Sequence, residues 1–348
     1  MRRTARILRR LLLVLAGLAG TTFAAAFVMV FLGDPQFGPP PPMTPEAAAA
    51  FAARYEQFYP SEARRFAMRD GVSLAARRFP ATSNTTIVLV HGILGSSLEM
   101  NRPAGLLREA TGATVLALDL RGHGSSGGVP GDICYVGQYE DDLGDVVAKL
   151  RAGHPRGRVI LAGHSMGGGI LLRYALRSGT PPVDGYLLLA PYLSARSPTT
   201  PQQARAGEDS FVRLNLPRTL GLALFNRVGI TGFNGLRTLF FNLPPELPLT
   251  SYSYRAMVGD APEDHAPALA AIRASGRPLL VLVGSRDEAF LPDRYAAALG
   301  PEQDALRTID GASHDGILID PRAIEAIARW LGRLPGERPA TAAHEPTA

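Results

Sequence analysis

Apolar and polar positions divide the chain into stretches of different character. No residue between Leu11 and Leu32 is charged, and these 22 residues are long enough to cross a bilayer as a helix. After this run, short apolar segments alternate with amphipathic ones. Between roughly Ser194 and Asp264 the regularity ends, because prolines interrupt helix-like pieces and bulky apolar residues cluster. A tail rich in Pro, Ala and Thr follows, and we expect it to lack stable structure.

The alternating part predicts an α/β fold. Its apolar, β-branched runs are typical of strands, and helical patterns lie between many of them. Because these strands are apolar almost throughout, we expect a mostly parallel sheet with helices on both faces. The predicted strands are Val72–Phe79, Thr86–Val90, Ala113–Asp119, Arg158–Ala162, Gly185–Ala190, Pro278–Gly284 and Leu306–Asp310. The predicted helices are Leu98–Ala110, Gln138–Ala152, Met166–Arg177, Asp293–Leu299 and Pro321–Leu331.

These patterns also predict the domain organisation. Thr44-Pro45-Glu46 indicates a helix start, with Thr as the cap, Pro in the first position and an acid in the first turn, and the alanine-rich run to Tyr59 would form that helix. The predicted segments are a basic and membrane-spanning part at 1–33, a Pro-rich linker at 34–44, a folded domain at 45–334 with an insertion at about 194–264, and a tail at 335–348.

The N-terminus predicts export of the folded domain. Five arginines precede the apolar run, which by the positive-inside rule places the N-terminus in the cytoplasm and the domain outside a bacterial inner membrane. The alternative is a cleaved signal peptide, with Leu11–Gly20 as its apolar region and Ala24–Ala26 as the cleavage zone, which would release a secreted protein. The apolar run continues past this zone to Leu32, which favours the uncleaved anchor.

Composition excludes several classes of protein. Hydrophobic residues make up 46% of the chain and charged residues 19%, which indicates a folded domain. The net charge of +5 is accounted for by the five N-terminal arginines, so no basic patch for nucleic acid is evident. Cys134 is the only cysteine, which excludes an intramolecular disulfide framework and a Cys-rich metal site. We expect no metal or organic cofactor, and the sequence identifies no protein partner.

The segment Gly163-His164-Ser165-Met166-Gly167 carries the clearest chemical signal. It directly follows a predicted strand and precedes a predicted helix, the context that a nucleophile elbow requires. Glycines flank the serine because such a turn leaves no room for side chains. The helix that follows offers backbone N–H groups to a developing anion. We therefore interpret Ser165 as a nucleophile.

An oxyanion formed on attack by Ser165 would need two preset N–H donors. One is expected from Met166, the residue after the nucleophile. The other is expected from the loop His91–Ser96, which ends an earlier strand. We assign this second donor to Ile93, with the neighbouring Leu94 as the alternative.

A general base and an orienting acid are expected after the serine in the order Ser, Asp, His. His314 lies in a loop between the last predicted strand and the last helix, where an imidazole can take the Ser165 proton. Asp287 follows the strand ending at Gly284, where a carboxylate can orient that imidazole. Among the other histidines, His265 is the competitor for the role of base.

With these residues in place, the chain from about Phe66 to Leu331 resembles the α/β-hydrolase superfamily, particularly its monoacylglycerol-lipase and lysophospholipase-like branch. The resemblance also covers Leu118–Gly127, a turn that is largely architectural in that family. It implies an α/β-hydrolase fold with a mostly parallel sheet, a cap insertion and serine-type catalysis. Esterases, lipases, some peptidases and some acyltransferases share these motifs.

Serine rather than aspartate at the elbow favours acyl transfer through an acyl-enzyme. The predicted function is hydrolysis of a carboxylic ester, and a tether near a membrane favours a lipid-like or other apolar small-molecule ester. An acyltransferase with the same triad and a non-catalytic relative remain alternatives. Apolar residues of the insertion could line an acyl-chain pocket, face the bilayer or form the insertion's own core: Leu222, Leu224, Phe225, Phe233, Leu236, Leu239, Phe240 and Phe241.

Overall fold

A computed structural model of the chain describes residues 2–38, 57–201 and 211–334. The predicted helix start at Thr44, most of the Pro-rich linker and the tail from residue 335 lie outside the described residues. The chain divides into two compact units. The large unit comprises residues 42–202 and 258–348, and the small unit comprises residues 1–41 and 203–257.

The large unit is built on a sheet of eight strands in the order β1-β2-β4-β3-β5-β6-β10-β11. Neighbouring strands from β4 to β11 in this order run parallel, whereas β1 and β2 are antiparallel at one edge. The predicted mostly parallel sheet is therefore confirmed. The strands are β1 (Glu62–Ala67), β2 (Ser73–Phe79), β3 (Thr85–Val90), β4 (Thr114–Leu118), β5 (Arg158–His164), β6 (Gly185–Leu189), β10 (Leu279–Gly284) and β11 (Leu306–Ile309).

Helices cover both faces of this sheet. Alternate residues of β3 face opposite sides. Ile87 and Leu89 belong to a hydrophobic cluster with residues of the helices α2 (Asn101–Thr111) and α9 (Pro321–Gly332), whereas the equally buried Val88 and Val90 do not. Helix α2 packs on α9, and α4 packs on α3 and α7. The helices of this unit are α2 (Asn101–Thr111), α3 (Gln138–Gly153), α4 (Met166–Leu176), α7 (Ala266–Ala274), α8 (Tyr295–Leu299) and α9 (Pro321–Gly332).

Most elements of the large unit agree with the sequence predictions, and some differ. All seven predicted strands are present, and the predicted helices of this unit begin and end within three residues of the expected positions. Pro292–Arg294, at the start of the helix predicted at Asp293, is a 3-10 turn. Strand β1 was not predicted, because Glu62–Ala67 is mostly exposed and carries three charges. It is an edge strand, where apolar alternation is not required.

The small unit contains two long helices and a short antiparallel sheet. Helix α1 (Arg2–Phe31) is long and apolar enough from Arg10 to Phe31 to cross a membrane, by length and composition. Helix α5 (Leu216–Arg227) packs along it. Strands β7 (Val212–Leu214), β8 (Arg237–Phe241) and β9 (Ser251–Ser253) pair in that order, and a short helix α6 (Tyr254–Val258) follows.

Four of the bulky apolar residues predicted in the insertion are buried: Leu222, Phe225, Leu239 and Phe241. Two of them pack against neighbouring aromatic rings: the ring centroids of Phe225 and Phe233 are 5.9 Å apart, and those of Phe241 and Tyr252 are 5.8 Å apart. The burial of these four side chains favours the third of the interpretations that the sequence allowed, a core role within the small unit.

Candidate active site

The predicted elbow is a strand–turn–helix unit. Ser165 links β5 to α4 with φ 51° and ψ −117°, a left-handed backbone conformation that is strained for a residue with a side chain. A Cβ at Gly163 would lie 2.6 Å from the Gly167 carbonyl group, and one at Gly167 would lie 2.6 Å from the Val90 oxygen. Only glycine fits at these two positions, so the local sequence holds Ser165 in this conformation.

The loop after β3 lies directly against the elbow. A Cβ built on Gly92 would be 3.1 Å from the Ser165 Cβ and 3.0 Å from the His164 ring. His91 fixes the loop: its Nδ1 donates to the Gly92 oxygen at 2.8 Å, and its Nε2 accepts from the Leu120 N–H at 3.1 Å. Of the residues assigned to the oxyanion site, Met166 directly follows Ser165 as the first residue of α4, and Ile93 is the next residue after Gly92 in this loop.

The turn after β4 supports this loop. The buried Asp119 carboxylate accepts N–H bonds from Ser97, just after the loop, and from Ser125. The Ser126 hydroxyl donates to the Asp119 backbone oxygen at 2.6 Å. A Cβ at Gly124 would lie 2.5 Å from the Asp119 side chain, so this glycine is required for the close approach. These contacts fit the architectural role that the resemblance implied.

Asp287 and His314 form a buried pair. The His314 Nδ1 lies 2.9 Å from Asp287 Oδ2 and 3.1 Å from Oδ1. Asp287 Oδ1 also accepts the backbone N–H groups of Ala289 and Phe290, each at 2.9 Å, and its side chain has no exposed surface. Because the carboxylate accepts the Nδ1 proton, Nε2 of the neutral imidazole is left as the basic nitrogen.

Two further residues, whose roles sequence reasoning missed, position His314. The Glu288 Oε2 accepts the His314 N–H at 2.9 Å. On the other side, the His164 Nε2 donates to the His314 backbone oxygen at 3.1 Å, and the two rings lie 4.8 Å apart. The residue next to Ser165 therefore contacts the predicted base directly, which brings the elbow and the His314 loop together.

His265, the competing candidate for the base, contacts groups other than Asp287. The His265 Nε2 lies 3.0 Å from the Ala298 oxygen, and its Nδ1 lies 3.3 Å from the Ser194 hydroxyl. His265 directly precedes α7, a helix that the sequence did not predict. Its ring is held by these two groups and not by Asp287, so it is not oriented as a base.

The pKa values of His314 and His164 move in opposite directions. Burial lowers the pKa of His314, but the hydrogen bond and negative charge of Asp287, with the charges of Asp315 and Glu288, outweigh burial and raise it above its usual 6.5. Burial, with the nearby charge of His314, lowers the pKa of His164 to about 4. Near neutral pH, His164 is uncharged and does not repel a protonated His314.

Among the described residues, one group of three side chains has metal-ligand spacing. The donor atoms of His164, His314 and Asp315 lie within 4.8 Å of one another. Two nitrogens are already engaged, since His164 Nε2 donates to a backbone oxygen and His314 Nδ1 donates to Asp287. The remaining His164 nitrogen, Nδ1, lies against Gly92. This donor set suits a hydrogen-bonded imidazole pair better than a metal ion.

The lowered pKa values of buried histidines indicate that lowering the pH destabilises the fold. Burial lowers the pKa of His91 to about 4 and that of His123 to about 3, against about 6.5 in the unfolded chain. Depressed pKa values give stability that is fully present above pH 6.5 and is lost as the pH falls towards the folded values. At about 1.4 kcal/mol per pKa unit, protonating buried His91 costs on the order of 3 kcal/mol.

We therefore expect the free energy of unfolding in detergent to be lower at pH 5 than at pH 7, measured by urea denaturation with the fluorescence of Trp330, the sole tryptophan. The raised pKa of His314 opposes this trend, but it is one histidine against three, because the lowered pKa of His164 acts in the same direction as those of His91 and His123. His91→Asn should flatten the pH dependence, whereas a change at the exposed His154, His154→Gln, should preserve it. Equal unfolding free energies at the two pH values would contradict this account.

Solved structures share this architecture. An α/β-hydrolase from Penicillium sp. sh18 superposes with a TM-score of 0.55 at 17% identity, covering 79% of this chain and 99% of that one. The chain has the α/β-hydrolase fold. A monoacylglycerol lipase of Paleococcus ferrophilus superposes with a TM-score of 0.52 at 24% identity, covering 74% of this chain and 98% of the lipase.

Sequence comparisons agree with the fold. A family model described as serine aminopeptidase, S33, matches residues 81–220 of this chain. A monoacylglycerol lipase of Mycolicibacterium smegmatis is 36% identical over 91 residues, which are 26% of this chain and 32% of the lipase. The chain spans about a third or less of the length of the curated relatives it matches. The resemblance to the monoacylglycerol-lipase branch that the motifs indicated is confirmed.

Proposed function

We propose that this protein is a serine hydrolase that cleaves carboxylic esters. The observation that carries the proposal is the buried Asp287–His314 pair, whose imidazole contacts His164 beside the strained Ser165. Names of the relatives support it, since the similar proteins include two monoacylglycerol lipases.

The proposed reaction proceeds through an acyl-enzyme. The Ser165 Oγ attacks the ester carbonyl carbon while the His314 Nε2 takes its proton, and Asp287 stabilises the imidazolium. The N–H groups of Ile93 and Met166 hold the oxyanion. His314 then gives the proton to the leaving alcohol. A water molecule, deprotonated by His314, attacks the acyl-enzyme, and the proton returns to Ser165 as the acid leaves.

The proposed substrate is a lipid-like or other apolar ester. This follows from the lipase relatives and from an N-terminal helix that is apolar enough to enter a bilayer. We propose that α1 is an uncleaved anchor with its arginine-rich end in the cytoplasm and the large unit outside. A reporter fused after residue 348 should then be active only outside the cytoplasm. Activity confined to the cytoplasm would exclude this orientation.

An ester panel tests the hydrolase. The full-length protein in detergent is given esters of increasing acyl length, with and without added alcohols as acyl acceptors, and both free acid and new ester are quantified. We expect free acid as the main product and higher kcat/KM for apolar acyl chains. New ester formed at the expense of free acid would identify an acyltransferase instead. No turnover of any ester, together with no labelling by a fluorophosphonate, would support a non-catalytic relative.

A further inference from the structure

The C-terminal end of α1 is held by a polar junction within the small unit. Arg218 donates from Nε to the Val30 oxygen at 2.9 Å and from Nη2 to the Leu32 oxygen at 2.8 Å, and it pairs with Asp34. The Asn215 amide donates to the Gly33 oxygen at 3.1 Å. The last carbonyls of a helix lack partners within the helix, and a cation placed there interacts favourably with the negative end of the helix dipole. The side chains of Arg218 and Asn215 therefore fix this end of α1.

Helix α5 continues from this junction along α1. Arg218 lies at the level of residues 30–34 of α1, Gly221 at Ala26, and Phe225 at Phe23, whose ring is 5.2 Å away. The two helices are thus antiparallel. A Cβ on Gly221 would lie 2.7 Å from the Ala26 oxygen, so glycine permits the close backbone approach that is common between membrane helices.

The depth of this contact places α5 beside the apolar span. From Phe31, its last residue, back to Phe23, α1 rises about 12 Å at 1.5 Å per residue. That is somewhat less than half of a hydrocarbon core of about 30 Å. If α1 spans the bilayer from Leu11 to Leu32, α5 lies at the depth of one leaflet.

The surface of α5 suits lipid better than water. From Thr219 to Leu236 the only charged residue is Arg227. The polar groups of the helix are satisfied internally, as lipid requires: Thr219 donates to the Asn215 oxygen, and the amides of Asn226 and Asn234 bond reciprocally at 2.7 and 2.9 Å.

Apolar side chains make up the outer face of α5. Leu216 and Leu220 are about half exposed, and the exposed Val228 and Phe233 follow in the next loop. A helix that faces water normally carries charged residues on that face. Arg227, two residues beyond Phe225 and so near the level of Phe23, is the one charge that this position of α5 would bury, and only its long side chain can carry that charge towards the headgroups.

We propose that α5 is embedded in the same bilayer leaflet as the C-terminal half of α1, with phospholipid acyl chains covering Leu216 and Leu220. The inference rests on the proposed membrane anchor and adds a second membrane element to it. It also requires α1 to be retained, because cleavage at Ala24–Ala26 would remove the part of α1 that contacts Phe225.

Site-specific fluorescence on the full chain tests the proposal. Cys134→Ser removes the only cysteine, and single cysteines are then introduced by Leu220→Cys, Val28→Cys or Val129→Cys and labelled with an environment-sensitive nitrobenzoxadiazole dye. The proteins are reconstituted into phosphatidylethanolamine and phosphatidylglycerol vesicles containing spin-labelled phosphatidylcholine as the quencher. Val28 on α1 and Val129 in the large unit are matched references, 60% and 58% exposed.

We expect blue-shifted, strongly quenched emission at Leu220 and Val28, and water-like, unquenched emission at Val129. Leu216→Cys gives a second site on α5, should the Leu220 variant alter Trp330 emission. Quenching at Val28 but at neither α5 site would overturn the embedding of α5 and leave the anchor intact. Loss of quenching at all sites, or a mature mass lacking residues up to 26, would overturn both membrane proposals. Ester turnover by the same samples reports separately on the hydrolase.

Discussion

Replacing the proposed nucleophile, Ser165→Ala, is expected to lower kcat/KM for every ester that the protein cleaves by about 10⁴- to 10⁶-fold. The hydroxyl supplies the covalent path, and the remaining N–H donors and binding contacts would supply only the residual rate. The measurement is steady-state ester hydrolysis by the full-length variant in detergent, beside labelling with a fluorophosphonate. Labelling should be lost with the hydroxyl.

The control for this variant is Ser178→Ala, a change at an exposed serine just beyond α4. It should retain the parent's activity and labelling. An unchanged rate in Ser165→Ala would exclude Ser165 as the nucleophile. The Trp330 emission of both variants should match the parent, because α4 begins after Ser165 and keeps its contacts with the sheet.

The sheet was predictable because its strands are buried on both faces. In β3, Ile87 to Val90 are all buried, and such a continuous apolar run is a strong signal. The apolar pattern of a single strand does not show which strands it pairs with. The structure places β3 between β4 and β5, and the sequence did not predict β1 at all. An exposed edge strand such as β1 has little apolar pattern, so its pairing with β2 decides its conformation.

The candidate site was predictable where the chemistry needs a local motif. Ser165 is enclosed by two glycines, and these glycines are required by distances of 2.6 Å to backbone atoms. Asp287 and His314 were found because each follows a strand of the same sheet. Their hydrogen bond is a contact between residues 27 positions apart, which only the pairing of β10 with β11 brings about.

The positioning roles of Glu288 and His164 were not predictable in the same way. Glu288 is an exposed acid that acts through the His314 backbone N–H, and backbone partners leave no trace in the sequence. The structure of the insertion was missed for another reason. Strands β7 and β9 have three residues each, too few for a period of two to be recognised.

Asp287→Asn is expected to lower kcat by about 10⁴-fold, because an amide in place of the carboxylate no longer holds the imidazole with its proton on Nδ1 and no longer stabilises the imidazolium. The parent contact is a carboxylate with its side chain fully buried, 2.9 Å from Nδ1. Asp293→Asn, a change at an exposed carboxylate in the same region, is the matched control and should leave kcat unchanged.

The pH profile separates this role from a structural one. The base must be neutral to act, so activity rises with pH through the pKa of His314, which Asp287 raises above 6.5. Without that charge, burial dominates and lowers the pKa of His314. The acid limb of kcat/KM should therefore move to lower pH in Asp287→Asn and stay in place in Asp293→Asn. An unshifted limb with reduced kcat would mean that another group titrates, and His314 would then not be the base.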